Sequence, residues 1–204
     1  DNEVFNTSTY SIDGVFNFLD NRLYTDFQFA QTNLQSQGYA YSVESFYDFD
    51  KYWSFYLELE KIDKYFDNND IGYTYRNDIC TEKIGLKYQD LNPRGIFQKR
   101  SITLQHALEY NDSNKERLKK QTTIKGFLGL INNSYFSLGV FKRYNAYDDR
   151  LLYDYKENFL SKGKNMFIPA SYGASFSWSS DQRKKNAFFA ILDYEKNKIN
   201  DWGY

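Results

Sequence analysis

The chain has 204 residues, a formal net charge of −1, a mean hydropathy of −0.75, and 20 tyrosines and 18 phenylalanines. This charge balance gives no reason to propose nucleic acid as a partner, because nucleic-acid-binding domains carry a strongly basic surface. The single cysteine, Cys80, excludes an intrachain disulfide framework, and no stretch approaches the roughly 20 apolar residues of a membrane-spanning helix.

The first half of the chain consists of short alternating segments separated by polar turns. Asp13-Gly14 is a dipeptide typical of hairpin turns, so we expect it to end the first strand. Asp20-Asn21 predicts the next turn. The strands predicted in this half are 3–12, 15–19, 22–31, 39–47, 51–60, 71–80 and 82–89.

The second half contains longer strands. Asn92-Pro93-Arg94-Gly95 predicts a turn, because proline and glycine preset its dihedral angles, and Asn132-Asn133 predicts a tight one. The charged segment 146–165 is predicted to be a long loop and the place where a partner protein docks. The remaining predicted strands are 96–110, 117–131, 134–144, 166–178 and 186–199, which brings the total to about twelve.

Segment 51–60 shows the alternation most clearly. Successive side chains of a strand point to opposite faces, so Trp53 and Leu57 share one face while Ser54 and Glu58 share the other. One apolar and one polar face are typical of a transmembrane β-barrel wall, which meets lipid outside and a lumen inside. The predicted lipid-facing residues are Phe27, Phe29, Trp53, Phe55, Leu57, Leu86, Leu138, Phe176 and Trp178. The predicted lumen-facing residues are Gln28, Tyr56, Glu58, Lys87 and Ser175.

The predicted fold is therefore all-β: an antiparallel up-and-down transmembrane β-barrel, or a large part of one, formed by residues 1–204 as one domain. Barrels of this kind alternate short turns with longer loops. Between Asp20 and Glu82 the alternation holds, but the loop after residue 110 is long where a short turn is due. Either one strand is miscounted or the segment is not a simple meander.

Few residues suggest chemistry. His106 is the only histidine, so nucleophile–base triads and histidine metal sites lack a second member, and we expect a wall position for it. Glu58 and Glu60 share a face, as glycosidase carboxylates do, but no second acidic strand can be assigned beside them. We predict no catalysis, no cofactor and no metal ion.

Aromatic residues at strand ends allow two interpretations. Trp53 and Trp178 each end an apolar row, where they would stack on a carbohydrate or form the aromatic girdle at a membrane interface. Their position favours the girdle.

Three short segments resemble a family of large outer-membrane proteins of Bacteroidota type. The segments are Asp70-Ile71-Gly72-Tyr73-Thr74-Tyr75-Arg76-Asn77-Asp78, Ser11-Ile12-Asp13-Gly14-Val15-Phe16-Asn17-Phe18, and Ser177-Trp178-Ser179-Ser180-Asp181-Gln182-Arg183. The family pairs an N-terminal domain resembling a family-nine carbohydrate-binding module with a C-terminal β-barrel. The resemblance implies that this chain is part of the barrel, and that sugar binding is assigned to none of its residues.

Two functions follow as expectations. The first is an outer-membrane barrel with a transport, binding or scaffolding role, in contact with membrane lipid and in some settings with a glycan. The second is a soluble or surface-exposed β-sandwich that binds glycans. The two differ in where the apolar face goes, since a sandwich packs it against a second sheet and a barrel presents it outward as a continuous band.

Overall fold

The computed structural model describes residues 8–33, 36–66, 76–148 and 166–197. Within these ranges the chain forms twelve strands and no helix, which confirms the all-β prediction. The strands are β1 Ser8–Phe18, β2 Leu23–Asn33, β3 Gln37–Asp48, β4 Trp53–Ile62, β5 Ile79–Asp90, β6 Phe97–Asn111, β7 Arg117–Leu130, β8 Tyr135–Arg143, β9 Ala146–Asp148, β10 Met166–Ile168, β11 Ser171–Ser179 and β12 Phe189–Asn197.

Ten of these strands form one antiparallel sheet in the order β1-β2-β3-β4-β5-β6-β7-β8-β11-β12. Each strand pairs with its neighbours along the chain, as the up-and-down prediction requires. The other two, β9 and β10, form a small hairpin within the connection between β8 and β11. Strands β1 and β12 are the two edges of the sheet, and the described residues show no pairing between them, so the sheet is open.

The turn predicted at Asp13-Gly14 is wrong. Both residues lie inside β1, where Asp13 pairs with Gln28 and Gly14 with Phe27. A methyl group added at Gly14 would lie 2.6 Å from Cε1 of Phe27, because the phenylalanine ring covers the glycine. This glycine therefore makes room for a cross-strand aromatic ring, and the predicted strands 3–12 and 15–19 are one strand over their described part.

The strands predicted at 71–80 and 82–89 also need correction. Strand β5 runs without a break through Thr81, which pairs with Glu60 on one side and Glu109 on the other. Residues 76–78 precede the strand, and 71–75 lie outside the described residues.

Merging these two segments brings every connection into phase. One end of the sheet, the turn end, carries the connections 19–22, 49–52, 91–96, 131–134 and 180–188. The other end, the loop end, carries 34–36, 63–78, 112–116 and 144–170. The loop after residue 110 is in phase because the predicted strands 71–80 and 82–89 correspond to the single strand β5.

The last third of the chain departs from prediction in one further way. The predicted strand 166–178 is divided, since Met166–Ile168 pairs with β9 while Ser171–Ser179 pairs with β8 and β12. The predicted loop 146–165 opens with the three residues of β9, and its residues 149–165 lie outside the described part of the chain.

The predicted turns at the turn end are confirmed. Asp20 and Asn21 adopt left-handed backbone angles, with φ of 56° and 64°, which Asp and Asn tolerate better than most residues. Asn133 does the same with φ of 59°. In the turn after β5, Oδ1 of Asp90 accepts the backbone N–H of Asn92 at 2.9 Å. Short polar side chains thus hold the tight turns.

The sheet has almost no core. Among the described residues the buried apolar side chains are those of Phe66, Cys80, Ala107 and Ala146. Phe66 belongs to the turn after β4, in which the N–H of Asp63 bonds the carbonyl of Tyr39 at 2.9 Å. This turn folds over Gly38, and a methyl group there would overlap the backbone of Tyr65 and Phe66.

We predict that Gly38→Ala destabilises the protein by about 1–3 kcal/mol, because the added methyl group must displace backbone atoms. Gly126→Ala is the matched control, since the nearest atom to its methyl group would be the carbonyl oxygen of Leu138 at 3.9 Å. That change is expected to be neutral or to stabilise by about 0.4–1 kcal/mol through the unfolded chain. Urea unfolding of both variants measures the difference, and equal effects would contradict the close packing at Gly38.

Candidate functional site

The pairing register sorts the side chains of the ten-stranded sheet onto two faces. Directly opposite residues of antiparallel strands project to the same side. Leu57 pairs with Ser45 and Ile84, and Ile84 pairs with His106, so these four share one side. We call this side the apolar face. Its apolar members include Ile12, Phe16, Phe27, Phe29, Phe55, Leu57, Ile84, Leu86, Ile102, Leu104, Ile124, Leu138, Val140, Phe176 and Leu192.

The structure brings the predicted residues together in two sets. All nine predicted lipid-facing side chains lie on the apolar face, and none of them is buried. Those that are exposed are Phe29, Trp53, Leu86 and Leu138, and the half-buried ones are Phe27, Phe55, Leu57, Phe176 and Trp178. All five predicted lumen-facing residues lie on the opposite side, which we call the polar face: Gln28, Tyr56, Glu58, Lys87 and Ser175.

Burial in the central strands is inverted relative to a water-soluble sheet. In β6 the exposed side chains are Ile102, 49 % exposed, and Leu104, 45 % exposed, whereas Thr103 and Gln105 between them are half-buried. In β8 Leu138 and Val140 are exposed around a buried Gly139. Soluble proteins place such aliphatic residues inside far more often than polar ones. The polar face is the more enclosed of the two.

Aromatic rings fill glycine positions on the polar face. The ring of Tyr56 lies over Gly85, its direct partner, and the ring of Phe141 lies over Gly173 in the same way. A ring that packs into the space of an absent side chain pins the register of the two strands. These pairs help to explain why the polar face is closely packed.

The turn end of the apolar face carries a row of aromatic side chains. Trp53 lies against Tyr88 with ring centroids 5.1 Å apart, and Phe136 lies 6.3 Å from Phe176. Trp178 pairs directly with Phe136. The two tryptophans therefore end their apolar rows in the structure as they do in the sequence.

Charge on the polar face changes sign between the first four strands and the next four, and β12 adds the acids Asp193 and Glu195. Strands β1 to β4 contribute acidic residues and no lysine or arginine: Asp13, Asp26, Glu44, Asp48, Glu58 and Glu60. Strands β5 to β8 contribute six basic residues, Lys83, Lys87, Lys99, Lys119, Lys125 and Arg143, and the single acid Glu109. The acidic and basic strands meet between β4 and β5, where Nζ of Lys83 lies 2.5 Å from Oε1 of Glu58.

The acidic row is electrostatically costly. Asp26 lies opposite Glu44, which lies opposite Glu58, and like charges in direct cross-strand pairs are destabilising. Lys83 offsets part of this cost at one end of the row. Because Glu58 is occupied by this ion pair, the structure does not present Glu58 and Glu60 as a free pair of catalytic carboxylates.

The candidates for chemistry are separated in space. His106 lies on the apolar face, with Nδ1 2.9 Å from Oγ1 of Thr122, and therefore opposite to Glu58 and Glu60. Cys80 is buried, with Sγ 3.5 Å from Oδ1 of Asp112. In the described part of the chain no cluster of three or more His, Cys, Asp or Glu residues is arranged to hold a metal ion.

Asp112 organises the loop end. Its Oδ1 lies 2.7 Å from Nζ of Lys115 and its Oδ2 lies 2.9 Å from Nζ of Lys61, so one carboxylate joins β4 to the loop between β6 and β7. Burial alone would raise the pKa of Asp112, but the hydrogen bonds from Lys115 and Lys61 outweigh it and lower the pKa to about 2. Nearby, Oδ1 of Asp78 accepts the backbone N–H of Ser113 at 2.8 Å.

Sequence analysis did not single out three lysines on the apolar face. Each is an even number of positions from an apolar residue of its own strand and so shares its face: Lys120 with Ile124, Lys142 with Val140, and Lys196 with Leu192. The lysines lie nearer the loop end. The period-two spacing in the sequence predicts the face on which each lysine lies. The pairing of β8 with β11 was needed to show that Lys142 and Lys196 lie in one row.

We predict that Asp112→Asn destabilises the protein at neutral pH and that the difference disappears in acid. A carboxyl group with a pKa lowered to about 2 contributes stability that is complete above its unfolded pKa of about 3.9 and is lost as the pH falls through 2. Urea unfolding of both proteins between pH 6 and pH 2 measures this. A difference that stayed constant with pH would contradict the role of the charge.

No helix in the described ranges is long and apolar enough to cross a membrane. Comparison with curated proteins and with solved structures yields no match. A family model described as a domain of unknown function, DUF5916, matches residues 6–203. Since the match spans nearly the whole chain, the protein belongs to the DUF5916 family.

Proposed function

We propose that this chain forms the wall of a transmembrane β-barrel in an outer membrane, with a transport, binding or scaffolding role and no catalysis. The inverted burial of the central strands is the observation that carries the proposal. In the middle of β5, β6 and β8 the exposed positions hold isoleucine, leucine and valine, while the positions between them hold glycine, threonine and glutamine.

Contact with lipid would remove the free-energy cost of exposing the apolar face of this sheet to water. Each Å² of apolar surface left in water forgoes roughly 25 cal/mol of stabilisation. The exposed apolar residues run across the sheet from Ile12 in β1 to Leu192 in β12. A bilayer covers such a face without a second layer of protein, so the nine predicted lipid-facing residues would meet hydrocarbon.

Strand dimensions are compatible with a bilayer. The ten strands of the large sheet contain 9 to 15 residues, and a tilted transmembrane strand needs about 9–11. In hydrocarbon every backbone polar group must be paired, so edges cannot remain open. The proposal therefore requires that β1 and β12 pair with each other or with further strands.

The unequal lengths of the connections also support the proposal. The turn end has connections of 4 to 9 residues. The loop end has two short connections, 34–36 and 112–116, of 3 and 5 residues, and two long ones, 63–78 and 144–170, of 16 and 27 residues. Outer-membrane barrels have short periplasmic turns and longer extracellular loops. We therefore place the loop end outside the cell and propose the segment 146–165 as the docking place for a partner protein.

The polar face would line the lumen. Around a closed lumen its charge would be acidic on β1–β4, basic on β5–β8 and acidic again at Asp193 and Glu195 of β12. The resemblance to Bacteroidota-type outer-membrane proteins supports the same localisation, and it assigns glycan binding to a domain outside this chain. The alternative of a glycan-binding β-sandwich needs a second large sheet, and the described residues supply one large sheet and a small hairpin.

We predict that Leu104→Arg destabilises the vesicle-reconstituted protein by about 2–4 kcal/mol, because Leu104 lies at the middle of β6 and Arg at the bilayer midplane is costly. Gln105→Arg, one residue along on the polar face, is the matched control with a small expected effect. Trp53→Arg, at the end of its row, should cost only about 0–1 kcal/mol.

Reversible urea unfolding from phosphatidylcholine vesicles measures the three free energies. If water covers the apolar face, Leu104→Arg falls within about 0.5 kcal/mol of the unchanged protein, since exposed surface positions tolerate substitution. That result would overturn the membrane proposal. Extraction of the native protein by high-pH carbonate without detergent would overturn it as well.

A further inference from the structure

Basic and aromatic side chains close the apolar face at the loop end. Lys142 of β8 pairs directly with Tyr172 of β11, which pairs with Lys196 of β12, so the three form one row. Lys120 lies on the same face of β7, and Tyr144 is hydrogen bonded beside it, its N–H 2.9 Å from the carbonyl oxygen of Lys120. We call these five residues the loop-end lysine patch.

The patch holds its ammonium groups close together around one ring. Nζ of Lys120 lies 5.0 Å from the ring centroid of Tyr144, and Nζ of Lys142 lies 4.9 Å from it. The tyrosine face attracts both cations, and the His106 ring packs edge-on against it, with centroids 6.4 Å apart. Two cations therefore lie next to one ring, and Lys196 is exposed in the same row as Lys142.

Among the described residues these three lysines have no acidic partner, whereas other lysines of the sheet do. Lys61, Lys83, Lys115 and Lys119 each form an ion pair with an aspartate or glutamate. Within the described ranges no carboxylate lies within ion-pair distance of Lys120, Lys142 or Lys196. Among the described residues, the charge of the patch is therefore not compensated by a carboxylate.

The position of the patch limits what that anion can be. Directly toward the middle of the sheet, the same face carries the row Ile124, Val140 and Ala174. A ligand that contacts both the lysines and this apolar row needs a negatively charged head and an apolar body. At the turn end the corresponding cation, Arg100, is already bound to Asp90 at 2.7 Å, so the two ends of the apolar face differ.

We infer that the loop-end lysine patch binds the phosphate of an anionic lipid headgroup, while the acyl chains lie along Ile124, Val140 and Ala174. The inference rests on the proposed function, since it needs the apolar face to meet lipid. Lysine side chains at the edge of a membrane span extend their ammonium groups to the headgroup region. Anionic lipid attracts a lysine near the membrane surface by about a factor of five in affinity.

The test uses the full chain refolded into phosphatidylcholine vesicles. Insertion is measured first, by quenching of tryptophan fluorescence with brominated phosphatidylcholine, which does not depend on an anionic headgroup. The second measurement is electron spin resonance of spin-labelled phosphatidylglycerol and spin-labelled phosphatidylcholine. It gives the ratio of their affinities for the protein surface.

The patch variant carries Lys120→Gln, Lys142→Gln and Lys196→Gln. Its matched control carries Lys87→Gln, Lys99→Gln and Lys125→Gln, which remove the same charge from the polar face. We expect the unchanged protein and the control to prefer phosphatidylglycerol by fivefold or more, and the patch variant to show a ratio near one. Inorganic phosphate should compete no better than chloride at equal ionic strength.

The outcomes separate the two proposals. Failure of the unchanged protein to insert would overturn the membrane proposal and the inference together. Normal insertion with an unchanged preference in the patch variant would overturn the inference alone. An equal loss in patch variant and control would also overturn it, because net charge and not the patch would then set the preference. Competition by inorganic phosphate beyond that by chloride would identify a free-anion site and overturn the lipid assignment.

Discussion

The register of one antiparallel ladder is the constraint on which this protein depends. Side chains alternate with a period of two, so a slip of one residue in any strand would exchange its apolar and polar sides. The register stays in phase across the ten strands, and its two irregularities, between Phe97 and Lys99 and between Glu109 and Tyr110, lie near the ends of β6. The middle of the sheet is therefore uninterrupted, and both faces are continuous.

A single layer changes what stabilises the fold. Burial against a core contributes little here, because aliphatic side chains such as Leu138 and Leu192 remain more than half exposed. What the protein supplies itself is the backbone ladder and cross-strand pairs worth about 0.2–1 kcal/mol each, of which Phe46 and Tyr56, with ring centroids 6.2 Å apart, are an example. In the proposed membrane location, lipid against the apolar face would supply the remainder.

Sequence reasoning recovered the faces because alternation is a local property. The parity of Phe55, Leu57 and Glu58 can be read within a few residues, and the pairings agree with it. The turn prediction at Asp13-Gly14 failed because the ring that covers Gly14 belongs to Phe27 in the next strand. A contact between two strands cannot be inferred from two adjacent residues.

The division between 71–80 and 82–89 was wrong for a similar reason. The polar residues Thr81 and Glu82 continue β5 because they have partners distant in sequence. Thr81 pairs with Glu60 and Glu109 in the two neighbouring strands, and the hydroxyl of Tyr110 donates to Glu82 at 3.0 Å. Partners distant in sequence therefore allowed polar residues to continue a strand. The patch at Lys120, Lys142 and Lys196 was missed because three strands must be aligned before it exists.

The up-and-down order has a consequence for how the chain assembles. Apart from the step from β8 to β11, every strand finds its partner across a connection of at most 16 residues, so pairing can advance hairpin by hairpin with short loops to close. The step from β8 to β11 spans 27 residues against 4 between β7 and β8, which adds about 1.7 kcal/mol of closure entropy. The β9–β10 hairpin ties this connection back on itself and shortens the chain that must search. If this hairpin forms before β11 pairs with β8, its formation would set the rate at which β11 and β12 join the first eight strands.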